Sequence, residues 1–369
     1  MSTIRPKHPH VEDLKPYQPP DLDAAAERAD VAVGKLIRLV ANENPFGPSP
    51  LVRRALADFD QYHLHPDYGP LKEAVAGYAG MSTSQVVLSN GSDEMIDLLI
   101  RLFVEPGEAV VIAPPTFSMY RFSARVNRCD VVAVPREDDL SLNPAAVERA
   151  VVGRNARADF EAGVGPARVL FLVSPHNPSG RAMPLELIEK FLALPLVVVV
   201  DEAYIEFGGE STLSLLSDHE NLVIMRTFSK WAGLAGLRLG YTILAPKLAD
   251  YLERIRPPYN VNAAAMVAAL ATFEDLDRVK ANVAHIVEER ERLVEALRAF
   301  AYLEPLPSEA NFVLCRVVGR DARGVVDGLL DEGILVRDFS DPAMAGYVRI
   351  SVGKPEQNEA LLEALEAIG

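Results

Sequence analysis

From about residue 55 to residue 357, short runs of apolar residues alternate with longer stretches in which apolar positions recur at helical spacing. The clearest runs are Gln85–Ser89, Ala109–Ala113, Asp130–Val134, Val169–Val173, Pro195–Val200, Asn221–Met225 and Gly240–Leu244. Residues 196–200 are apolar at every position rather than at alternate ones, the pattern of a strand covered on both faces. Strands of this kind, separated by helix-length segments, predict an α/β fold with a doubly wound, mainly parallel sheet. After about residue 265 the pattern changes. A helical stretch over 262–301, with one break, leads to shorter runs at Phe312–Arg316, Ile334–Val336 and Tyr347–Val352 and then to a closing helix. This predicts a smaller α+β domain over 266–369, a large domain over 49–265, and an N-terminal segment over 1–48. Residues 1–30 are polar and rich in Pro, Asp and Glu, so they are expected to form an arm with little packing of its own.

Composition narrows the class. A chain of 369 residues buries a large core, and 49% hydrophobic with 24% charged residues is the balance of a soluble globular protein. The net charge of −15 argues against a nucleic-acid binder or a membrane-surface protein. It leaves anionic substrates open, because a local cluster of arginines outweighs the global field. The two cysteines, Cys129 and Cys315, give neither a disulfide framework nor a metal-ligand spacing, and both sit among apolar residues. No metal is expected. MSTIRPKHPH has no apolar core of a signal peptide, and no run of about 20 apolar residues occurs, so the cytoplasm is the expected compartment.

The candidate chemistry lies where strands end. The run 222–225 leads into Arg226-Thr-Phe-Ser229-Lys230, with Arg238 shortly after. A lysine beside arginines and hydroxyls loses its proton more easily, and a deprotonated lysine forms Schiff bases with carbonyls such as that of pyridoxal phosphate. Ser-Lys alone is common, and a surface lysine after a strand is the ordinary reading. Upstream, the run 196–200 ends in Asp201-Glu202-Ala203-Tyr204. An ionisable pair there is costly unless it has work to do. Asp201 suits holding a proton on a pyridine nitrogen, and Tyr204 suits a hydrogen bond to a ring hydroxyl oxygen. The run 169–173 ends in Ser174-Pro-His-Asn177-Pro-Ser-Gly180, which offers the Asn177 amide to the same oxygen. Ligand sites in doubly wound sheets lie outside the carboxyl ends of the strands, where these residues fall.

The order Asn177, Asp201, Tyr204, Lys230, Arg238 resembles the fold-type I aminotransferases of class I and II, carried here by SPHNPSG (174–180), DEAYIEF (201–207) and RTFSKWAGLAGLRLGY (226–241). Within that family the chain is most similar to the branch acting on histidinol phosphate, through PYQPP (16–20), ANENPFGPSP (41–50), SNGSDEMIDLLIRLF (89–103), PPTFSMY (114–120), RPPYNVN (256–262), EANFVL (309–314) and VRISVG (348–353). The resemblance implies pyridoxal 5'-phosphate as cofactor and transamination of histidinol phosphate with 2-oxoglutarate or glutamate, in histidine biosynthesis. It also implies a homodimer with its active site between domains and subunits, and an N-terminal segment joined to the smaller domain. Its partners would be a small-molecule amino donor and a keto-acid acceptor. An aromatic amino-acid aminotransferase shares the same residues, and a threonine-phosphate decarboxylase shares the scaffold. A non-catalytic cofactor-binding protein is a further alternative, against which intact Lys230, Asp201 and Asn177 argue.

The same resemblance assigns further roles. Gly91-Ser92-Asp93 would hold the cofactor phosphate at a helix start, where backbone N–H groups and the helix dipole favour anions. From the residues alone, Ser92 is a good N-cap, and Asp93 and Glu94 are expected to point away from the phosphate. Thr227, Ser229 and Arg238 would complete the cup. Phe117 would stack on the pyridine ring, where the family usually has Tyr. His65 stands where the family has a Tyr that reaches the partner subunit's cofactor phosphate. Arg349 and Arg337 are the expected anion forks, although each also fits an edge-strand surface arginine. Tyr17 and Asn42 are placed near the substrate by resemblance alone.

Overall fold

A computed structural model describes residues 11–12, 14–16, 18–159 and 164–369. Its strands are β1 (Ile37–Leu39), β2 (Val86–Ser89), β3 (Ala109–Ile112), β4 (Asp130–Ala133), β5 (Ala167–Val173), β6 (Val197–Asp201), β7 (Leu222–Thr227), β8 (Gly240–Leu244), β9 (Leu303–Pro305), β10 (Phe312–Val317), β11 (Ile334–Val336) and β12 (Tyr347–Ser351). The seven apolar runs form one sheet in the order β2-β8-β7-β6-β5-β3-β4. All of it is parallel except β8, which runs antiparallel to both neighbours. The fold is therefore the mainly parallel α/β arrangement that the pattern implied.

Two-sided burial explains the uninterrupted apolar strands. Val198 and Val200 of β6 enter one core cluster while Val199 between them enters another. In β7, Leu222 and Ile224 face the first cluster, and Val223 and Met225 the second. Helices Gly69–Ala79, Pro144–Ala156, Leu185–Leu192 and Ala263–Glu274 cover the first face; Gly91–Phe103, Ser118–Val126 and Pro246–Ile255 cover the other. Complementary apolar faces cover both sides of the sheet except at its edge strand β4, so polar groups collect at strand ends.

Beyond residue 275 a separate core forms around the antiparallel sheet β12-β10-β9, from residues such as Leu293, Leu297, Val313, Leu329, Ile350 and Leu365. The helical stretch breaks at Asp275, between Ala263–Glu274 and Leu276–Leu297. β1 pairs in parallel with β11, which ties the N-terminal segment to this unit. The expectation of a loosely packed arm needs correction over residues 22–28. Leu22–Arg28 is a helix capped by Asp21, with Ala25 and Ala26 buried against Leu36, Val40 and Leu335. Arg28 bonds Asp327 at 2.9 Å and Asp331 at 2.8 Å. The contact is made through small alanines, which carry almost no hydropathy signal.

A second correction concerns Arg226. It does not adjoin Lys230; its guanidinium turns to Glu202, donating from Nε and Nη2 to Oε2 at 2.9 and 2.8 Å. Glu202 Oε1 accepts from Thr212 N and Oγ1 at 2.6 and 2.7 Å, and the carboxylate is fully buried. The second acid of Asp201-Glu202 thus pins the end of β6 to β7. A buried pair of this kind is destabilising to break because the remaining charge keeps its desolvation penalty. Glu202→Ala should lower the unfolding free energy by about 3–5 kcal/mol. Urea titration followed by fluorescence of Trp231, the single tryptophan, measures this; a loss below about 1 kcal/mol would contradict it.

Candidate active site

β5, β6 and β7 lie side by side in parallel register, with Val173 opposite Asp201 and Asp201 opposite Met225. The turns that follow therefore deliver Asn177, Asp201 and Lys230 to one edge of the sheet. Lys230 Nζ donates to the Ala41 carbonyl at 3.0 Å and lies 5.9 Å from the centre of the Tyr204 ring. Burial, followed by the positive charges of Arg349 and Arg238, pushes its amine down to about 8. The arginine effect expected from the sequence is present, but its larger part comes from Arg349, across the chain, with Arg238 contributing and Arg226 not.

Asp201 is buried with both oxygens engaged. Oδ2 accepts from the Tyr120 hydroxyl at 2.7 Å, and Oδ1 accepts from Ala203 N at 3.1 Å. Burial nevertheless lifts its carboxyl to about 6. The Tyr204 hydroxyl accepts from Asn42 Nδ2 at 3.0 Å, so its own proton is left to donate elsewhere. Asn42 sits at φ 54, a left-handed conformation that asparagine tolerates. Ser351 holds it twice, accepting from Asn42 N at 2.8 Å and donating to Oδ1 at 3.0 Å, and Asn311 Nδ2 donates to its carbonyl at 2.9 Å.

Arg349, on β12, is 8% exposed, which excludes the surface reading of that residue. Its Nη1 donates to Asn177 Oδ1 at 2.6 Å, its Nη2 donates to the Val40 carbonyl at 2.9 Å, and its guanidinium lies 5.2 Å from the Phe312 ring centre. Because Asn177 accepts through Oδ1, its NH₂ group is left to donate. Arg337 forms a backbone bridge with Arg349, at 2.9 Å in both directions. Both arginines open onto a cavity of about 320 Å³ that is also lined by Asn42, Phe117, Asn177, Tyr204 and Lys230.

Beside this cavity the helix Gly91–Phe103 starts directly after β2, with Asn90 at its N-cap and no side chain closing its first turn. Gly91 has φ 78, and a Cβ there would stand 2.7 Å from Arg238 Nη2, so only glycine admits this approach. Thr227 Oγ1 donates to Ser229 Oγ at 2.9 Å and accepts from Ser229 N at 3.1 Å. Uncapped N–H groups, the Ser229 hydroxyl that Thr227 orients and a guanidinium make a donor set that fits a phosphate. Two expectations change here. Ser92 occupies the second helical position rather than the N-cap, and Asp93, instead of pointing away, bonds Arg238 Nη2 through Oδ2 at 3.0 Å. Glu94 does turn away, accepting from Asn90 N and Asn260 Nδ2, both at 2.6 Å.

Not every residue singled out in the sequence meets the cavity. His65 is exposed and stacks on Tyr259, with ring centres 4.1 Å apart and planes at 12°. Tyr17 lies outside the described residues. Tyr120, Asn311 and Ser351, conversely, hold site residues without having been singled out. For Tyr120 a signal existed: it follows Phe117 by three residues on one helix face, in PPTFSMY. Among the described residues no cluster of His, Cys, Asp and Glu is placed to hold a metal ion, and no helix is long and apolar enough to cross a membrane.

A parallel sheet with a depressed lysine, a buried carboxylate and a phosphate-sized donor cup at its carboxyl edge is the equipment of an aminotransferase. The chain belongs to the class I and II aminotransferases, whose family profile matches residues 34–365. Its relatives include the histidinol-phosphate aminotransferase of Roseiflexus castenholzii, 43% identical over 98% of this chain and 97% of that one. The histidinol-phosphate aminotransferase of Dehalococcoides mccartyi is 44% identical over 90% of each chain. Among solved structures, the histidinol-phosphate aminotransferase of Sinorhizobium meliloti in complex with pyridoxal-5'-phosphate superposes with a TM-score of 0.86 at 28% identity, covering 99% of this chain and 98% of that chain.

The lysine gives a direct test. After reductive ¹³C-methylation, the resonance lost in Lys230→Arg should titrate near pH 8. A midpoint above about 10, the ordinary lysine range, would show that burial does not depress it.

Proposed function

We propose that this aminotransferase carries out the pyridoxal-phosphate-dependent exchange of an amino group between histidinol phosphate and 2-oxoglutarate, a reaction of histidine biosynthesis. The observation that carries the reading is the 43% identity, across almost the full length of both chains, to a relative of that activity. It is joined to a site in which Asn177, Tyr204, Lys230, Arg337 and Arg349 line one cavity. When bound, the cofactor links covalently to an amino group, and its ring draws in the electrons left as the substrate Cα loses its proton.

The chain's own groups divide the remaining work. Lys230 Nζ holds the cofactor and then, once displaced, takes the proton from the substrate Cα and returns it to the cofactor carbon as general base and acid. A depressed amine suits that task because its neutral form is populated near neutral pH. Asp201 holds the proton on the ring nitrogen. The unclaimed protons of Asn177 Nδ2 and Tyr204 serve the ring hydroxyl oxygen, and Phe117 covers the ring. Gly91, Ser92 and Asp93 offer backbone N–H groups to the phosphate alongside Thr227, Ser229 and Arg238. Arg349 and Arg337 receive the carboxylate of one substrate and the phosphate of the other, with Asn42 and Tyr17 beside them.

The site lies between the 49–265 domain and a smaller domain built from 1–48 and 266–369, with the cytoplasm as the expected compartment. The active unit is a homodimer. His65, exposed on its own subunit, reaches the phosphate cup of a second copy, with imidazole replacing phenol as donor. An aromatic amino-acid aminotransferase is the second reading, since the catalytic groups are the same.

Adding histidinol phosphate without a keto acid should abolish the visible band of the bound cofactor far faster than phenylalanine does. The reverse order would move the assignment to aromatic amino acids. Lys230→Ala should lose turnover by roughly a thousandfold or more while still folding, and substantial remaining activity would sink the role of Lys230. Light scattering should give twice the 40.3 kDa chain mass; a monomer of full activity would overturn the His65 contact.

A further inference from the structure

Tyr120 stands behind the site rather than in it. It is fully buried in the helix Ser118–Val126, with its ring stacked on Phe171 of β5 at 4.7 Å and edge-on to Phe117 at 5.6 Å. Aromatic contacts on two sides leave the ring little freedom, so the hydroxyl is held at one point. That point is 2.7 Å from Asp201 Oδ2. A buried phenol requires an acceptor, and this one uses a carboxylate 81 positions away in the chain.

We propose that Tyr120 is a positioning residue for transamination: its hydroxyl fixes the orientation of the carboxylate that serves the cofactor's ring nitrogen. Two donors hold Asp201, one on each oxygen: Ala203 N on Oδ1 and Tyr120 on Oδ2. With both in place the carboxylate cannot rotate without breaking a bond. The same helix carries Phe117 at its N-cap, so the residue that covers the ring and the residue that orients its acid move together.

The donors also oppose desolvation. Burial, together with the charges of Asp93 on the helix Gly91–Phe103 and of adjacent Glu202, favours a protonated Asp201, while Tyr120 and Ala203 N favour the ionised form. Tyr204 is the other titratable group whose charge is coupled to Asp201. Removing the Tyr120 hydroxyl therefore raises the carboxyl further above its ordinary range, and the ionised form disappears at a higher pH as acid is added. The acid limb of kcat/KM should move to higher pH, by about one unit.

Tyr120 acts in this way only if Asp201 serves the ring nitrogen, as proposed above, and the test separates the two claims. Protein stripped of cofactor is titrated with pyridoxal phosphate and with its 1-deaza analogue, which lacks that nitrogen. Tyr120→Phe removes one oxygen and keeps both ring contacts. It should weaken binding of pyridoxal phosphate about tenfold and leave binding of the deaza analogue unchanged. Asp201→Asn should show the same selective loss. Equal weakening of both ligands in Tyr120→Phe would mean a packing role and would overturn the proposal, as would no weakening at all. If Asp201→Asn shows no selective loss, the assignment of Asp201 is at fault instead. Should Tyr120→Phe not fold, Tyr120→His, which keeps a donor, is expected to retain the preference for the nitrogen-bearing ligand; loss of that preference would count against Tyr120.

Discussion

Burying ionisable groups at the carboxyl ends of β5, β6 and β7 costs solvation free energy, and the neighbouring structure is arranged to offset it. Parallel register sets the three strand ends next to one another, so Asn177, Asp201, Glu202 and Lys230 converge by topology. Each buried charge then receives its own compensation. Glu202 receives Arg226 and the Ser211–Thr212 donors, and Asp201 receives Tyr120 and a backbone N–H. Lys230 bonds only a carbonyl; burial and the charges of Arg349 and Arg238 outweigh those of Glu43 and Asp93, and its proton is correspondingly loosened. The difference suits the proposed roles: the carboxylates are held in fixed orientations, and the amine proposed as general base is the least compensated.

The second sheet completes the site. Arg349 comes from β12, more than 100 residues after Lys230, yet it bonds Asn177 on the other unit and the Val40 carbonyl beyond β1. Ser351, two residues on along the same face of that strand, positions Asn42, and Asn42 in turn orients the Tyr204 hydroxyl. One strand thus sets an arginine and a tyrosine proton together. Displacing β12 would disturb Arg349, Asn177 and the Tyr204 hydroxyl at once.

What was legible in the chain follows from these forces. Strands covered on both faces leave uninterrupted apolar runs, so the seven members of the central sheet stood out, and so did the polar residues that end them. Local reasoning failed where a side chain's partner is distant in sequence. Arg226 looked like a neighbour of Lys230 because it is four residues away, but strand alternation and Glu202 direct it elsewhere. For Tyr120 the local pattern marks a residue on the same helix face as Phe117, but not its acceptor, Asp201, 81 positions away. The helix Leu22–Arg28 was hidden because alanines dock it and two acids more than 290 positions away fasten its arginine.

The excess of acidic residues does not oppose anionic ligands, because distance and dielectric weight the charges unequally. Exposed charges more than about 8 Å apart are largely screened at physiological ionic strength, so most surface carboxylates contribute little inside the cavity. Arg349, at 8% exposure, acts through a medium in which attraction is several-fold stronger than in water. Asp93 is the local exception, since its Oδ2 sits 3.0 Å from the Arg238 guanidinium at the edge of the cup. An anion entering there shares Arg238 with a carboxylate and gains less from that charge than an unpaired arginine would give. The balance falls to neutral donors, the uncapped N–H groups that begin the helix at Gly91 and the Ser229 hydroxyl that Thr227 orients, which no neighbouring acid can neutralise.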